Sequence, residues 1–322
     1  MANRIKEKYM AGKRYFDYPM LFLVIFLICF GLVMIYSTSS YKSTVTYGNS
    51  YHWLLRQAVA IVLGAVAMVV CCKLDYHIMK SEKFGNGCYW ASIVLLVLVL
   101  IIGAAKKGAV RWISIAGFQF QPSEVSKILV VIYLANRLSA NAHKIRTFKD
   151  SIVIVLPTVP IIALIVTQNL STALVVCSMI GVMLFVVSPK MKELMLTAGG
   201  GIILLFVYLL TANSYRNERV QIWLHPESHK KGFQTMQALY AIGSGGIFGK
   251  GLGQSMQKMG FIPESHNDMI FSIICEELGL FGAVCLILVF VALIFRMLLI
   301  ALNTEDLFGS LVVIGFMTHI AI

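Results

Sequence analysis

Charge is scarce in this chain. Only 13% of its 322 residues are Asp, Glu, Lys or Arg, and the acids number 15, against 58% hydrophobic residues. With a mean hydropathy of +0.81, that balance excludes a soluble globular domain, and nothing in it calls for a nucleic-acid partner. The cysteines Cys29, Cys71, Cys72, Cys88, Cys177, Cys275 and Cys285 all lie within apolar runs or at their ends. They have neither metal-ligand spacing nor a partner in an oxidising loop, so they read as small membrane hydrophobes. Low-complexity tracts and clear internal repeats are missing too. A removable signal peptide is excluded, because the first apolar run passes into Tyr36-Ser37-Thr38 without a small-residue cleavage site.

What remains is a succession of apolar runs of about the 20 residues that a bilayer core requires. They cover 18–36, 54–72, 88–105, 123–138, 151–168, 171–188, 193–212, 269–295 and 308–322. The fold class is therefore an all-α, polytopic helical membrane protein, expected as a single transmembrane domain over 1–322. The ninth run stops at Ile322 with no polar flank, so that end reads as unfinished. Arg4, Lys6, Lys8, Lys13 and Arg14 precede the first run and put the N-terminus in the cytoplasm.

Counting spans from there, two basic segments face outward against the positive-inside rule. Segment 106–127 carries Lys106, Lys107, Arg111 and Lys127; the long loop 213–267 carries Arg216, Arg219, Lys230, Lys231, Lys250 and Lys258. Outward cations point to an anionic ligand at the outer leaflet, or to solvated charge in loops that translocate regardless. Apolar and polar residues alternate on both sides of Ala116-Gly117, which predicts a short interfacial hairpin. Gln121-Pro122-Ser123-Glu124 predicts a helix start, with Pro in the first position and Glu near the positive dipole end. Glu124 is then helix-end chemistry, or it faces an outer cavity together with Arg111 and Lys127.

In the long loop, Phe233, Met236, Leu239 and Tyr240 recur at helical spacing, so 233–242 is expected as an amphipathic interfacial helix. The glycine-rich run from Gly243 to Gly253 is not a nucleotide loop: Ser244 and Gly251 stand where that motif needs Gly and Ser or Thr. It is expected to be a flexible loop folded back over the membrane, with Lys250 free to meet phosphate. Pro263-Glu264-Ser265-His266-Asn267-Asp268 then leads into an apolar helix containing Glu276-Glu277-Leu278-Gly279. A carboxylate at the mouth of a membrane helix is a functional candidate, although Asp268 also suits an N-cap. Glu276 lies about 12 Å deeper along a helix and cannot share a reacting atom with Asp268; Glu276 and Glu277 are expected to bond across helices.

Taken in order, these stretches resemble the SEDS family (shape, elongation, division and sporulation proteins), in its FtsW/SpoVE branch. The matching segments are Asp17-Tyr18 through Gly31-Leu32-Val33-Met34-Ile35-Tyr36-Ser37, then Lys107 through Trp112, Gln121-Pro122-Ser123-Glu124, Gly243 through Ser255, and Pro263 through Asp268 into Glu276-Glu277-Leu278-Gly279. The run Gly253-Gln254-Ser255-Met256-Gln257-Lys258 looks more like the division and sporulation branch than the elongation branch. The similarity spans essentially the whole chain. It implies a bundle of ten transmembrane helices, about nine of them present, with the last missing, and the large extracytoplasmic loop 213–267. It also implies a peptidoglycan glycosyltransferase of the bacterial cytoplasmic membrane that polymerises lipid II beside a class B penicillin-binding protein. Three departures stand out: Gln168-Asn169-Leu170-Ser171 lacks the Pro-Asp usual after that Gln, Asn267 replaces a common Thr, and the chain stops before the last helix.

On that resemblance Asp268 matches the reaction-centre Asp, and Arg111 and Glu124 match the Arg-Trp and Gln-Pro-x-Glu positions. The candidate base is Asp268, taking the proton from the acceptor sugar 4-hydroxyl. Candidate substrate-binding residues are Lys107, Arg111, Gln121, Glu124, Lys127, Arg219 and Lys250, the cations stabilising the departing diphosphate. A divalent cation, Mg or Mn, could share that task, although no dedicated ligand set is visible. The rival readings are a lipid II flippase, which should carry polar groups or broken helices at its midplane, and a non-catalytic scaffold for a transpeptidase.

Overall fold

The computed structural model describes residues 16–106, 109–115, 118–145, 147–188, 221–228 and 232–322. Lys107, Arg219 and the expected span at 193–212 lie outside the described residues. The chain forms two compact units, one made of Met1–Met68 with Ser214–Arg296 and the other of Val69–Asn213 with Met297–Ile322.

In the first unit, α1 runs Tyr18–Tyr47 and starts where the Asp17 side chain accepts from the Met20 N–H at 2.9 Å. It continues eleven residues past the apolar run because no breaker occurs before Gly48, which closes it at φ 68°. The hydroxyls of this extension fold onto the helix itself: Thr38 donates to the Met34 carbonyl at 2.8 Å and Thr44 to the Ser40 carbonyl at 2.9 Å. Thr38 and Thr44 are thereby kept inside a helix with their protons paired, whereas the buried Ser39 and Ser43 hydroxyls have no partner among the described residues. The next helix, α2 (His52–Lys73), has no buried residue in spite of its apolar sequence, as a lipid-facing helix should.

The second unit opens with α3 (Glu82–Ile102), followed by β1 (Ala104–Lys106), β2 (Ala109–Ile115), β3 (Phe118–Phe120) and α4 (Pro122–Asn141). The strands form one antiparallel sheet in the order β1-β2-β3, with Ile113 opposite Phe120 and Ile115 opposite Phe118. The expected hairpin is there, enlarged by β1. Pro157 and Pro160 divide the expected span 151–168 into α5 (Phe148–Val155), a 3-10 turn and α6 (Val159–Gln168), since each proline lacks an N–H for the helical ladder. Then comes α7 (Leu170–Val187).

The core of this unit is α4, packed against α3, α7 and α10 (Leu307–Ala321). Leu134, Leu138, Met183, Phe308 and Leu311 are fully buried there. Two close approaches set the packing. A Cβ on Gly85 would strike Asn136, whose Nδ2 donates among the Met79, Lys80 and Ser81 carbonyls at 3.3, 2.6 and 3.0 Å. A Cβ on Gly315 would strike Val131 and Met183. Asp306 caps α10 and meets Lys80 Nζ at 2.8 Å; partial burial pushes its carboxyl up, but the Lys80 ammonium and the Gly309 N–H outweigh that and hold it below the usual carboxylate value.

The first unit is completed by α8 (Phe233–Ser244) and α9 (Ile270–Asn303), which continues to Arg296 within this unit. Phe233, Leu239 and Tyr240 on α8 are exposed, the arrangement expected of a helix lying at a membrane interface. Ala241, Ile262 and Ile273 make a small core beneath it, and Arg296 on α9 reaches Asp17 Oδ2 at 2.5 Å.

Candidate functional site

The long helix α9 is broken. Gly279 has φ 70° and ψ −170°, a backbone region open in practice to glycine alone. A break inside a membrane helix frees carbonyls before it and N–H groups after it, and hydrocarbon offers them no partner. Here the glycine-rich loop takes them up. The N–H groups of Lys250 and Gly251 donate to the Glu276 and Glu277 carbonyls, both at 2.9 Å, while Leu280 and Phe281 donate to the Gly246 and Ile247 carbonyls at 2.9 and 3.0 Å. The contact is backbone on backbone: a Cβ on Gly245, Gly249 or Gly279 would collide with the opposing main chain. The loop expected to be flexible is therefore hydrogen-bonded into the break.

The two carboxylates just before the break are fully buried, and each takes its own lysine. Glu276 Oε1 meets Lys250 Nζ at 2.7 Å, and Lys250 also donates to Ser244 Oγ at 2.9 Å. Ser255 Oγ donates to Glu276 Oε2, and the Met256 and Gln257 N–H groups lie at 3.3 and 3.4 Å from the same carboxylate. Lys250 was expected to be free for phosphate; it is instead engaged with Glu276, because a carboxylate carried into the protein interior must find a counter-ion. Glu277 pairs with Lys258 Nζ at 2.7 Å, and Ser37 of α1 donates to the same carboxylate at 2.7 Å. That contact is the cross-helix bond anticipated for Glu277.

Lys258 and Glu277 clamp one end of a short excursion whose other end is the start of α9. Between them, Ser265 Oγ donates to the Thr38 carbonyl at 3.4 Å, and the His266 ring lies 4.8 Å from Trp53. Burial, helped by the Lys42 ammonium, lowers the His266 pKa below its ordinary value and favours the neutral ring. Asp268 follows. It is exposed, two residues before α9, and among the described residues it makes no hydrogen bond or ion pair. The capping bond that would have explained it structurally is not formed.

The second unit gathers the other described candidates. Arg111 on β2 donates from Nε to the Gln168 carbonyl at 2.6 Å, and among the described residues its terminal nitrogens make no hydrogen bond. Gln121 donates to Ser123 Oγ at 2.9 Å rather than capping α4. Glu124 Oε2 lies 2.9 Å from the buried Lys127 Nζ, one helical turn along. Three residues of this geometry were not singled out beforehand as partners: Ser37, Ser255 and Lys258. The signal available for them was arithmetic, since two adjacent acids deep in an apolar helix require two cations. Among the described residues no cluster of three His, Cys, Asp or Glu side chains is placed to hold a metal ion.

The fold and this arrangement define a polytopic α-helical membrane protein that presents an open carboxylate at the mouth of a broken helix. The chain belongs to the FtsW/RodA/SpoVE family, described as cell cycle proteins, whose model matches residues 18–322. It is 35% identical over 317 residues to a probable peptidoglycan glycosyltransferase FtsW of Geobacter metallireducens, covering 95% of this chain and 83% of that one. It is also 35% identical over 316 residues to stage V sporulation protein E of Bacillus subtilis, covering 95% and 84%. Among solved structures it resembles a chain of a peptidoglycan synthase complex that coordinates polymerization and crosslinking, at TM-score 0.75 and 28% identity over 95% of this chain and 84% of that one. The rod shape determining protein RodA of Thermus thermophilus matches at TM-score 0.65 and 25% identity, over 94% and 81%.

Proposed function

We propose that this protein is a peptidoglycan glycosyltransferase of the bacterial cytoplasmic membrane, that its substrate is lipid II, and that Asp268 is the general base. One observation carries the assignment of the base: Asp268 is an exposed carboxylate without a partner among the described residues, on a segment clamped at both ends to the same helix. In a family whose members carry that enzymatic name, a carboxylate left open while its neighbours Glu276 and Glu277 are neutralised is the one available to take a proton. Asp268 accepts the proton of the acceptor 4-hydroxyl as that oxygen attacks the anomeric carbon. The diphosphate then departs with its oxygen carrying the bond electrons.

Arg111 is assigned to the diphosphate, because its planar fork suits phosphate oxygens and its Nε is already fixed by Gln168. Lys107 and Arg219 are proposed to share that field, with Gln121 and the Glu124–Lys127 pair fixing polar groups of the substrate. Lys250 is withdrawn from this role by its bond to Glu276. A Mg or Mn ion, if bound, would supply charge neutralisation on the diphosphate, but the described residues offer no ligand cluster for it and no step is assigned to it. A class B penicillin-binding protein is the proposed partner, in keeping with the synthase complex that the chain resembles.

The flippase reading keeps one observation in its favour, the broken helix with two buried acids, which is how many transporters build a midplane site. Both acids are already paired and the break is filled by the glycine loop, so neither is open to a passing headgroup. The test is purified protein in lipid nanodiscs or liposomes given lipid II, assayed for polymer and separately for headgroup translocation. Polymer without translocation is expected. Translocation without polymer would replace the enzyme by the flippase, and neither activity would leave the scaffold.

A further inference from the structure

The first unit contains a cavity of about 570 Å³ along the outer half of α1, lined among others by Tyr36, Ser37, Ser40, Tyr41, Thr44 and Lys258. None of these residues except Lys258 stood among the outward cations, and none belongs to the proposed chemistry. At 1.5 Å per residue the 30-residue α1 is about 45 Å long, roughly 15 Å more than the hydrocarbon core. With its N-terminus inside, the helix carries the Ser40–Thr44 end of the cavity out to the headgroup level.

The polar atoms of the lining have a definite sense. Ser40 and Thr44 donate their hydroxyl protons to the carbonyls of Ser37 and Ser40, so toward the cavity their oxygens can only accept. Lys258 has three N–H donors. One goes to Glu277 and one to Ser37, and the third has no partner among the described residues although the side chain is only 5% exposed. The rest of the wall is apolar, with the Tyr36 and Tyr41 rings beside Val33, Val45, Leu252 and Met259.

Each common membrane-surface ligand can be set against that pattern. An acyl chain would cover the third Lys258 donor and the hydroxyl acceptors without pairing any of them. A phosphate would meet Glu277 beside a lysine whose charge is already balanced. An uncharged sugar brings hydroxyl donors for Ser40 and Thr44, an acceptor for Lys258 and an apolar face for the rings. The volume falls within the range of a small-molecule site.

We infer that this cavity is a saccharide site that holds sugar units of the glycan being extended. The inference rests on the polymerase reading, and the experiment separates the two. The probe is chitotetraose, a lipid-free β-1,4-linked tetramer of N-acetylglucosamine, titrated against the full chain in nanodiscs and followed by saturation-transfer NMR. Lipid II polymerisation is run on the same preparation. Binding is expected in the parent. It should weaken about 3- to 10-fold in Thr44→Val, which is nearly isosteric and removes one acceptor, and at least as much in Ser40→Leu, which fills the space. Glycan products of both variants should be shorter than the parent's. A parent that polymerises lipid II yet shows no transfer to the tetramer would overturn the saccharide site alone. Displacement of the tetramer by inorganic phosphate, or unchanged binding and product length in Thr44→Val and Ser40→Leu, would overturn it as well. Tetramer binding without any polymer would remove the polymerase reading and leave the site standing.

Discussion

Asp268 can be separated from its structural alternative because the two readings set different costs for two substitutions. Were Asp268 the N-cap of α9, Asn would replace it well and Ala would cost about 1 kcal/mol. The helix begins at Ile270, however, and no capping bond reaches the Asp268 side chain among the described residues. Replacement of an exposed residue without partners changes stability by about 0.5 kcal/mol or less, and loss of a carboxylate near the positive end of a helix adds at most about 1 kcal/mol. Both Asp268→Asn and Asp268→Ala should therefore insert, purify and unfold much like the parent. Removal of a general base costs about 10²–10⁴-fold in rate, equivalent to about 2.7–5.5 kcal/mol of barrier. The two variants should thus be equally folded and equally inactive, measured as glycan polymer from lipid II per mole of monodisperse protein. Parental polymerisation by Asp268→Asn would refute the catalytic role. Normal activity in Asn combined with loss of folded protein in Ala would restore the cap.

Three further outcomes follow from the geometry. Glu277→Gln leaves the buried Lys258 ammonium without its counter-ion and should destabilise the first unit by about 3–5 kcal/mol, whereas the apolar double variant Lys258→Met/Glu277→Leu should cost far less; thermal unfolding in detergent that ranks the double as worse would contradict the pairing. Gly279→Ala should unfold at a clearly lower temperature than the parent, because both its φ of 70° and the contact with the Gly249 and Ile247 main chain exclude a Cβ, while Gly243→Ala, in open space within α8, should be neutral or stabilising by about 0.5–1 kcal/mol. Arg111→Lys should lose as much turnover as Arg111→Ala, since one ammonium cannot both bond the Gln168 carbonyl and present two nitrogens to a diphosphate; full activity in Arg111→Lys would remove the bidentate role.

Much of the fold was legible because lipid imposes a simple rule, that apolar runs of fixed length become helices. The runs at 18, 54, 88, 171, 269 and 308 each begin within six residues of a helix start, and the alternation around Ala116-Gly117 did mark a hairpin. What could not be read was where helices end when the rule lapses. The polar stretch Ser37–Thr44 falls outside the apolar run, yet it stays helical, since no breaker intervenes before Gly48 and the Thr38 and Thr44 hydroxyls bond back to the chain. Leu278-Gly279 looked like one more pair in an apolar helix. Its break depends on a loop thirty residues upstream supplying four backbone bonds, a long-range condition that no local pattern encodes.

The same distinction governs the charged residues, and it alters what counts as evidence for a site. Counted from sequence, both outward segments pointed to an anionic substrate, and Lys250 stood beside Arg111 among the candidate cations. In the folded chain the cations divide by what the buried acids demand. Glu276 and Glu277 claim Lys250 and Lys258, since an unpaired carboxylate at that depth would cost more than the fold can hold. Among the described residues Arg111 gives only its Nε and Asp268 gives nothing. Position in an outward loop is therefore weak evidence for substrate contact. A charge that folding leaves uncommitted is stronger evidence, and by that criterion Asp268 and the terminal nitrogens of Arg111 are the groups to test first.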